Sequence, residues 1–419
     1  MNVVRLAFAY ARRRPLATVF NIALLAVGVA TITLVILLSR ELEQRLAREA
    51  TGIDLVVGAK GSPLQLVLAG VYHADVPPGN VPLAAVEELA RNPLVQQVIP
   101  LALGDSYRGF RIVGTEPAFV AHYGASLAQG SGWSRPMEAV LGSDVARASG
   151  LAVGTTFAGS HGLAEGGGDH GETPYRVVGI LAPTGRVIDR LVLTSIDSVW
   201  KVHAHEDADA DHADADHDHD ATSDRAQPSA APATGHAPVR EVTLALVRYK
   251  SPLAAASLPR TINAETVLQA ASPPYESARL FTVFGVGTEV VRGFALLLIG
   301  ASAFGLFVAL AQALDERRYD LAIMRVLGAR RSTIVAVLLL ESVLLAATGL
   351  VLGLGLAHGL AAGIGAWLPA AAPLAAGARV WQPEEWGVVA LALGAGIIAT
   401  LLPAWRAYRL DVAATLADG

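Results

Sequence analysis

Long apolar stretches alternate with polar segments along the 419 residues of the chain. Four of these stretches are long enough to span about 30 Å of hydrocarbon as helices. They cover about residues 15–38, 290–314, 333–357 (with an extension to 367) and 386–402. The polar residues after the first stretch keep helical spacing and contain no small-residue cleavage site, which predicts an uncleaved first span and not a signal peptide.

The arginines predict the orientation of these spans. Arg12, Arg13 and Arg14 precede the first span, five arginines lie between the second and third spans, and others follow the fourth. The loop between the third and fourth spans contains only Arg379. Because cytoplasmic loops carry the excess of positive charge, we expect both termini and the loop after the second span in the cytoplasm. The protein is then a multi-pass protein of a bacterial inner membrane, with residues 40–289 outside.

The outer region is large enough for a soluble domain of its own. Short β-branched and apolar runs that predict strands alternate there with helical patterns at 83–91 and 143–149. The strand runs are 53–57, 95–101, 110–113, 176–181, 190–193 and 242–249. We therefore expect an α-helical membrane protein with four transmembrane helices and a large extracytoplasmic α+β domain inserted between the first and second helices. Its expected parts are 1–50 (first span and outer stalk), 51–274 (outer domain, with a His/Asp-rich loop at 203–238) and 275–419 (second stalk and three spans).

Composition and motifs exclude several classes of function. With 53% apolar and 16% charged residues, the chain is too hydrophobic for an ordinary soluble protein. It has no basic stripe with interleaved aromatic residues, so we expect no nucleic acid partner. The absence of cysteine excludes disulfides and thiolate metal ligands. No phosphate-binding G-x-x-x-x-G-K-[ST] motif occurs, so the chain is not expected to be an enzyme or to hydrolyse ATP itself.

Three segments resemble the MacB/FtsX-like permease family of ATP-binding-cassette (ABC) systems. The segment Asp315–Ile334 (DERRYDLAIMRVLGARRSTI) is similar to the signature of the family loop between the second and third spans. The tail Pro403–Leu416 is similar to the family's C-terminal motif, although Val412 replaces the usual proline and Thr415 also departs from it. The stretch Asp54–Pro63, followed by Val71–Asp75, resembles one branch of these permeases.

The resemblance implies that the loop after the second span is a coupling helix that docks on a separate cytoplasmic ABC ATPase. ATP is then bound by that ATPase dimer, and two copies of the permease pair. The expected coupling residues are Glu316, Arg317, Arg318, Leu321, Met324, Arg325, Leu327, Gly328, Ala329 and Arg330. The residues alone leave an alternative open, an interfacial helix whose arginines bind anionic lipid headgroups.

The outer region also contains a segment rich in metal-ligating side chains. Residues 203–220 hold five of the eleven histidines and eight carboxylates, without Lys or Arg. Imidazole and carboxylate groups are ligands that zinc accepts, so the sequence predicts a flexible Zn²⁺ site of modest affinity. The alternative is an acidic spacer with incidental histidines. The expected metal ligands are His203, His205, His212, His217 and His219.

Three further polar residues lie in or near predicted elements. Glu341 is expected about two turns into the third span, where it needs a partner, either as a structural hydrogen bond or as part of a transport path. His358 is expected to pack near the outer interface, and His73 to lie with Asp75 in a surface turn. Nothing in the sequence resembles a catalytic constellation.

These observations predict a permease subunit that transmits ATP-driven motion to its outer domain, in metal-linked (zinc) transport or handling, with a periplasmic adaptor or substrate protein as a further partner. Two alternatives stay open: a component of lipoprotein extraction or of peptide or drug efflux, and an FtsX-like regulator that transports nothing and controls a cell-envelope partner.

Overall fold

The computed structural model describes residues 15–161, 173–202, 240–316, 323, 326, 330–368 and 372–409. The chain divides into two compact units, residues 1–45 with 281–419 and residues 46–280. We call the first the helical unit and the second the outer domain.

The helices and strands are numbered in chain order. The helices are α1 (Pro15–Ala50), α2 (Pro63–Gly70), α3 (Leu83–Ala90), α4 (Pro117–His122), α5 (Ser143–Ser149), α6 (196–202), α7 (Pro252–Glu265), α8 (Pro273–Glu316), α9 (Arg331–Trp367), α10 (Ala372–Gly377) and α11 (Glu385–Tyr408), with a 3₁₀ turn at Val187–Arg190. The strands are β1 (Leu55–Ala59), β2 (Val81–Pro82), β3 (Val95–Tyr107), β4 (Phe110–Thr115), β5 (Leu127–Gly130), β6 (Glu138–Leu141), β7 (Thr156–Phe157), β8 (Ser160–His161), β9 (Tyr175–Leu181), β10 (Val192–Ser195), β11 (Glu241–Val242), β12 (Leu244–Tyr249) and β13 (Leu268–Ala271).

The four predicted spans are confirmed as helices. By length and apolar composition, α1, α8, α9 and α11 are each able to cross a membrane. Helices α1 and α8 have 36 and 44 residues and are much longer than the apolar stretches from which they were predicted. At 1.5 Å per residue both exceed the roughly 30 Å of a hydrocarbon layer.

The outer domain is the predicted α+β domain, and it follows the first helix. Within its described residues, eleven strands form one mixed sheet with the order β13-β1-β12-β3-β4-β10-β6-β9-β5, with β7 beside β9 and β8 beside β3. Most neighbouring strands are antiparallel, but β10 with β4 and β6 with β9 are parallel. Strands β2 and β11 pair separately.

Side-chain alternation along the strands places the core on both faces of the sheet. In β1, Val56 joins one apolar cluster with Leu101 and Phe119, whereas Leu55 and Val57 join another on the opposite face. This is the period of two that a pleated strand imposes. The sheet is therefore covered on both sides. At one edge of the sheet lie β13 and its neighbour β1; along the chain, β1 follows α1 and β13 precedes α8.

Candidate functional site

Two of the ten residues predicted to couple to an ATPase lie within the described part of the chain. Glu316 is the last residue of α8, and Arg330 is exposed at the N-cap of α9, where its side chain makes no capping hydrogen bond. The other eight, Arg317, Arg318, Leu321, Met324, Arg325, Leu327, Gly328 and Ala329, lie outside the described residues. Their coupling role stays a prediction.

The predicted zinc ligands His203, His205, His212, His217 and His219 also lie outside the described residues. Across the residues that the structure does describe, no group of three His, Cys, Asp or Glu side chains is placed to hold a metal ion. The metal site therefore stays a prediction from the sequence of 203–220.

The first candidate site is the pair of strands that receives the two long helices. Four residues separate the end of α1 at Ala50 from β1, and Ser272 alone separates β13 from α8. Strands β1 and β13 are antiparallel neighbours, with Val56 opposite Ala271. The outer ends of α1 and α8 are thus joined by the chain to adjacent strands of one sheet.

One tyrosine connects both helix ends through its hydroxyl group. Tyr72, in the turn after α2, hydrogen-bonds Ser277 of α8, with 2.7 Å between the Tyr72 Oη and Ser277 Oγ atoms. The same Tyr72 hydroxyl donates to the carbonyl oxygen of Leu46 in α1 over 3.4 Å. Burial, followed by the nearby Glu49 carboxylate, raises the pKa of Tyr72 above its ordinary value of 10, so the hydroxyl keeps its proton at neutral pH.

A second set of contacts fixes the end of α1 alone. The Arg186 guanidinium donates to the carbonyl oxygen of Arg48 at 2.8 Å, and its Nε lies 3.6 Å from Oε2 of Glu49. The Val187 backbone N–H donates to Oε1 of Glu49 at 3.2 Å. The guanidinium also stacks over the Tyr123 ring, 4.4 Å from its centroid. The last turn of α1 therefore has charged and backbone partners at the start of the 3₁₀ turn.

His73 is buried, so the prediction of a surface turn is wrong for this residue. Its imidazole is 8% exposed and lies edge-on to the ring of Phe119, with 6.1 Å between ring centroids. Burial, followed by the charge of the nearby Arg111, lowers the pKa of His73 from 6.5 to about 3. Arg111 is itself buried and donates to the carbonyl oxygen of Asp75 at 2.7 Å. The pattern His73-Ala74-Asp75 before two prolines is typical of a turn, and it carries no signal of the apolar neighbours that come from α4.

The helical unit contains a partly buried hydrogen-bonded pair that the sequence did not predict. Nε2 of His358 in α9 lies 3.1 Å from Oε2 of Glu385 at the start of α11, and Nδ1 lies 2.7 Å from the carbonyl oxygen of Ala378. Glu385 is fully buried and also accepts from the Gln382 backbone N–H. His358 is therefore a connector between two helices as well as a packing residue. The sequence did contain one signal for this pair: His358 is an ionisable residue near the end of a span, and such a residue needs a polar partner.

Glu341 is buried on α9, with 7% of its side chain exposed, beside the fully buried Ser342. Burial is consistent with the predicted need of this carboxyl group for a partner within the span. The choice between a structural role and a transport path stays open.

Close packing between helices explains two glycines of the third span. A Cβ atom at Gly349 would lie 2.9 Å from the Leu25 side chain, and one at Gly353 would lie 2.7 Å from the Ala26 carbonyl oxygen. Both neighbours belong to α1 of the same chain. Gly355 and Gly359 have no such neighbour within 4 Å among the described residues. Small residues on α9 thus allow close approach of α1 in one copy of the chain.

Comparison with known proteins assigns the two parts of the chain. The MacB-like periplasmic core domain matches residues 18–219, and the FtsX-like permease C-terminal domain matches residues 292–412. No curated protein matches the chain. The periplasmic region of MacB from Actinobacillus actinomycetemcomitans is similar over 55% of this chain and 95% of its own, with 12% identity and a TM-score of 0.33. The extracellular domain of the noncanonic ABC-type transporter YknZ from Gram-positive bacteria is similar over 52% and 99%, with 11% identity and a TM-score of 0.29.

The two structural likenesses are weak and carry no weight beyond the domain matches. Those matches follow the order of the helices and the sheet. The periplasmic core match includes most of α1 and most strands of the sheet, and the permease match includes the second half of α8 and the helices after it. The chain belongs to the MacB/FtsX-like permeases and is a multi-pass transmembrane subunit of an ABC complex.

Proposed function

We propose that this permease transmits motion, driven by ATP on a separate cytoplasmic ATPase dimer, through α1 and α8 to the outer domain. In this proposal both termini and the loop after α8 are cytoplasmic, the sheet domain is periplasmic, and two copies of the permease pair in the inner membrane. The observation that carries the proposal is the attachment of α1 and α8 to the neighbouring strands β1 and β13.

The physical basis is the stiffness of the parts in this path. An α-helix is braced by its own backbone hydrogen bonds along its length, so displacement at one end reaches the other. Each helix enters the sheet after four residues or fewer, and the β1–β13 ladder joins the two strands by backbone hydrogen bonds. The Tyr72 hydroxyl adds a side-chain link between the same two helices. Movement of the helices against each other must then strain the β1–β13 ladder, the Tyr72 link or the Arg186 contacts with the end of α1.

The work of the complex is proposed to be metal-linked. Its support is the sequence of residues 203–220, in which five histidines alternate with carboxylates. A segment of this kind is suited to collecting Zn²⁺ from the periplasm for a transported or handled substrate.

The coupling part of the proposal is tested by placing charge on the apolar face of the loop after α8. Met324→Asp with Leu327→Asp puts two carboxylates where an ATPase groove would bury them, at a cost on the order of 3 kcal/mol or more. We expect the ATPase to be lost on co-purification while the permease still folds. Leu368→Asp is the matched control, because Leu368 is exposed at the other end of α9.

Retention of the ATPase by the double variant, with unchanged ATP turnover, would contradict the coupling assignment. Loss of the ATPase from the Leu368→Asp control as well would attribute the effect to general damage by added charge. Met324→Leu with Leu327→Met, which changes both side chains but keeps the face apolar, should keep the ATPase bound.

A further inference from the structure

The outer domain has an open groove on the side of the sheet covered by α3 and α6. Its cavity volume is about 420 Å³, within the range of roughly 300–1,000 Å³ that ligand pockets have. Its floor includes the apolar side chains of Val86, Val98 and Pro100. We call it the indole groove, because Trp133 and Trp200 both line it.

Three carboxylates line the groove, and each comes from a different part of the fold. Glu87 is on α3, Glu116 precedes α4, and Asp197 is on α6. All three are exposed. Within the described residues none of them makes an ion pair or a side-chain hydrogen bond. A single cation, Arg240, stands against them in the lining, so the groove is acidic.

The contact between Arg240 and Trp200 shows that one of the two indole rings binds a cation. Its guanidinium lies over the Trp200 ring, 5.1 Å from the centroid, which is the geometry of a cation–π contact. The Trp200 ring is held in place, because its Nε1–H donates to the carbonyl oxygen of Glu241 at 2.6 Å. Trp133 is only partly buried and has no cation over its ring in the described structure.

We propose that the indole groove binds an arginine- or lysine-containing peptide segment of a partner protein. An apolar floor, an indole face and carboxylates at the rim are together complementary to a side chain with a long aliphatic stem and a cationic head. An anionic ligand would meet three carboxylates with only Arg240 to balance them. A divalent metal is not favoured either, since these carboxylates do not form a group placed to hold a metal ion in the described structure.

This inference names a binding chemistry for the outer domain and does not depend on how ATP-driven motion reaches it. The test uses the full-length permease in detergent and a fluorescein-labelled probe peptide, Gly-Arg-Gly-Arg-Gly, followed by fluorescence anisotropy. A peptide with glutamine in place of both arginines is the neutral comparison. We expect the arginine probe to bind more tightly than the neutral peptide and to weaken as salt rises, because exposed charges are screened.

Matched variants locate the binding. Glu116→Gln with Asp197→Asn should weaken the arginine probe about fivefold to tenfold, since each exposed ion pair contributes up to about a factor of five. Glu87→Gln should weaken it about twofold, whereas Glu88→Gln, one position along the same helix and outside the groove lining, should leave it unchanged. Trp133→Leu should weaken the arginine probe and leave the neutral peptide unaffected.

Equal binding of the arginine probe by the native chain and the Glu116/Asp197 double variant would overturn the proposal. So would binding that appears only after residues 204–238 are replaced by a short Gly/Ser linker, because the chain's own segment would then be the occupant. Retained ATPase association in variants that lose the probe separates failure of this groove from failure of the coupling proposal.

Discussion

Removing the hydroxyl group of Tyr72 should loosen the outer ends of α1 and α8 without changing the shape of the domain. Tyr72→Phe keeps the ring, which is partly buried against the core cluster of the sheet. It removes the 2.7 Å hydrogen bond to Ser277 and the 3.4 Å bond to the Leu46 carbonyl. A typical hydrogen bond contributes about 1 kcal/mol to stability, and a buried group left without its partner adds to the loss. We expect a local loss of about 1–2 kcal/mol.

Hydrogen exchange measured by mass spectrometry on the full-length chain gives the readout for each helix end. A loss of 1–2 kcal/mol corresponds to roughly fivefold to thirtyfold faster exchange where local opening limits the rate. The peptides that report are 46–50 and 273–280. Exchange in strands far from this junction, such as β6, should not change.

Tyr123→Phe is the matched control, because it removes a tyrosine hydroxyl group that makes no hydrogen bond in the described structure. The Tyr123 side chain is buried, and its hydroxyl has no hydrogen-bond partner in the described structure. Removal of a buried unsatisfied hydroxyl is neutral or stabilising. Its ring contact with Arg186 is available to phenylalanine as well. Similar exchange in the two variants, or unchanged exchange in Tyr72→Phe, would refute the assignment of Tyr72 as the link between the helix ends.

Three further predictions concern topology, metal and pH. Reporter fusions should place Ala329 in the cytoplasm and both Gly150 and Ala376 outside, and a cytoplasmic signal at Gly150 would contradict the arginine-based orientation. A peptide of residues 202–220 should bind Zn²⁺ at neutral pH and release it near or below pH 6.5, and calorimetry of the version with its five histidines replaced by alanine should show a clear loss of affinity; equal affinity would make the segment an acidic spacer. Because the pKa of His73 falls to about 3 on folding, the unfolded chain takes up a proton that the folded domain excludes. Above about pH 6.5 the protonation of His73 does not lower the free energy of unfolding. Below that pH it lowers the free energy of unfolding by up to about 1.4 kcal/mol per pH unit, down to about pH 3. His73→Asn, which tolerates the backbone φ of 50° there, should flatten that decline in chemical unfolding curves, and an unchanged slope would show that other groups cause it.

Elements with a strong local signal could be predicted from the sequence. The four long apolar stretches became α1, α8, α9 and α11, because stretches of about 17–25 predominantly apolar residues admit few other structures. The predicted strand run 95–101 falls within β3, and the run 242–249 covers β12 and begins in the short strand β11. Their β-branched residues fit a pleated surface that is buried on both faces.

Elements that depend on distant partners could not be predicted. Strand β13 is only four residues long, and it is a strand because it pairs with β1, more than two hundred residues earlier. The contact of Tyr72 with Ser277 has the same character, since neither residue carries a local mark of the other. The pair of His358 and Glu385 joins two helices that the sequence showed only as separate spans. Long-range pairing of this kind is decided by topology, which periodicity does not encode.

The attachments of the two helices differ, and the difference predicts where the junction is most easily strained. Helix α8 follows β13 after Ser272 alone, so the connection between this helix and the sheet is one residue long. The connection is also hydrogen-bonded, because the Glu276 backbone N–H donates to the Ser272 carbonyl oxygen. Helix α1 reaches β1 through a turn that includes Gly52, whose φ of 82° is a conformation that favours glycine. The contacts of Arg186 with Arg48 and Glu49 lie at this more permissive connection. A backbone connection at α8 and a side-chain clamp at α1 mean that relative movement of the helices breaks side-chain contacts at α1 before it breaks the β1–β13 ladder. The clamp resists this movement, because its Arg186 and Glu49 side chains are only 21% and 14% exposed, and parting a mostly buried ion pair leaves both charges poorly solvated.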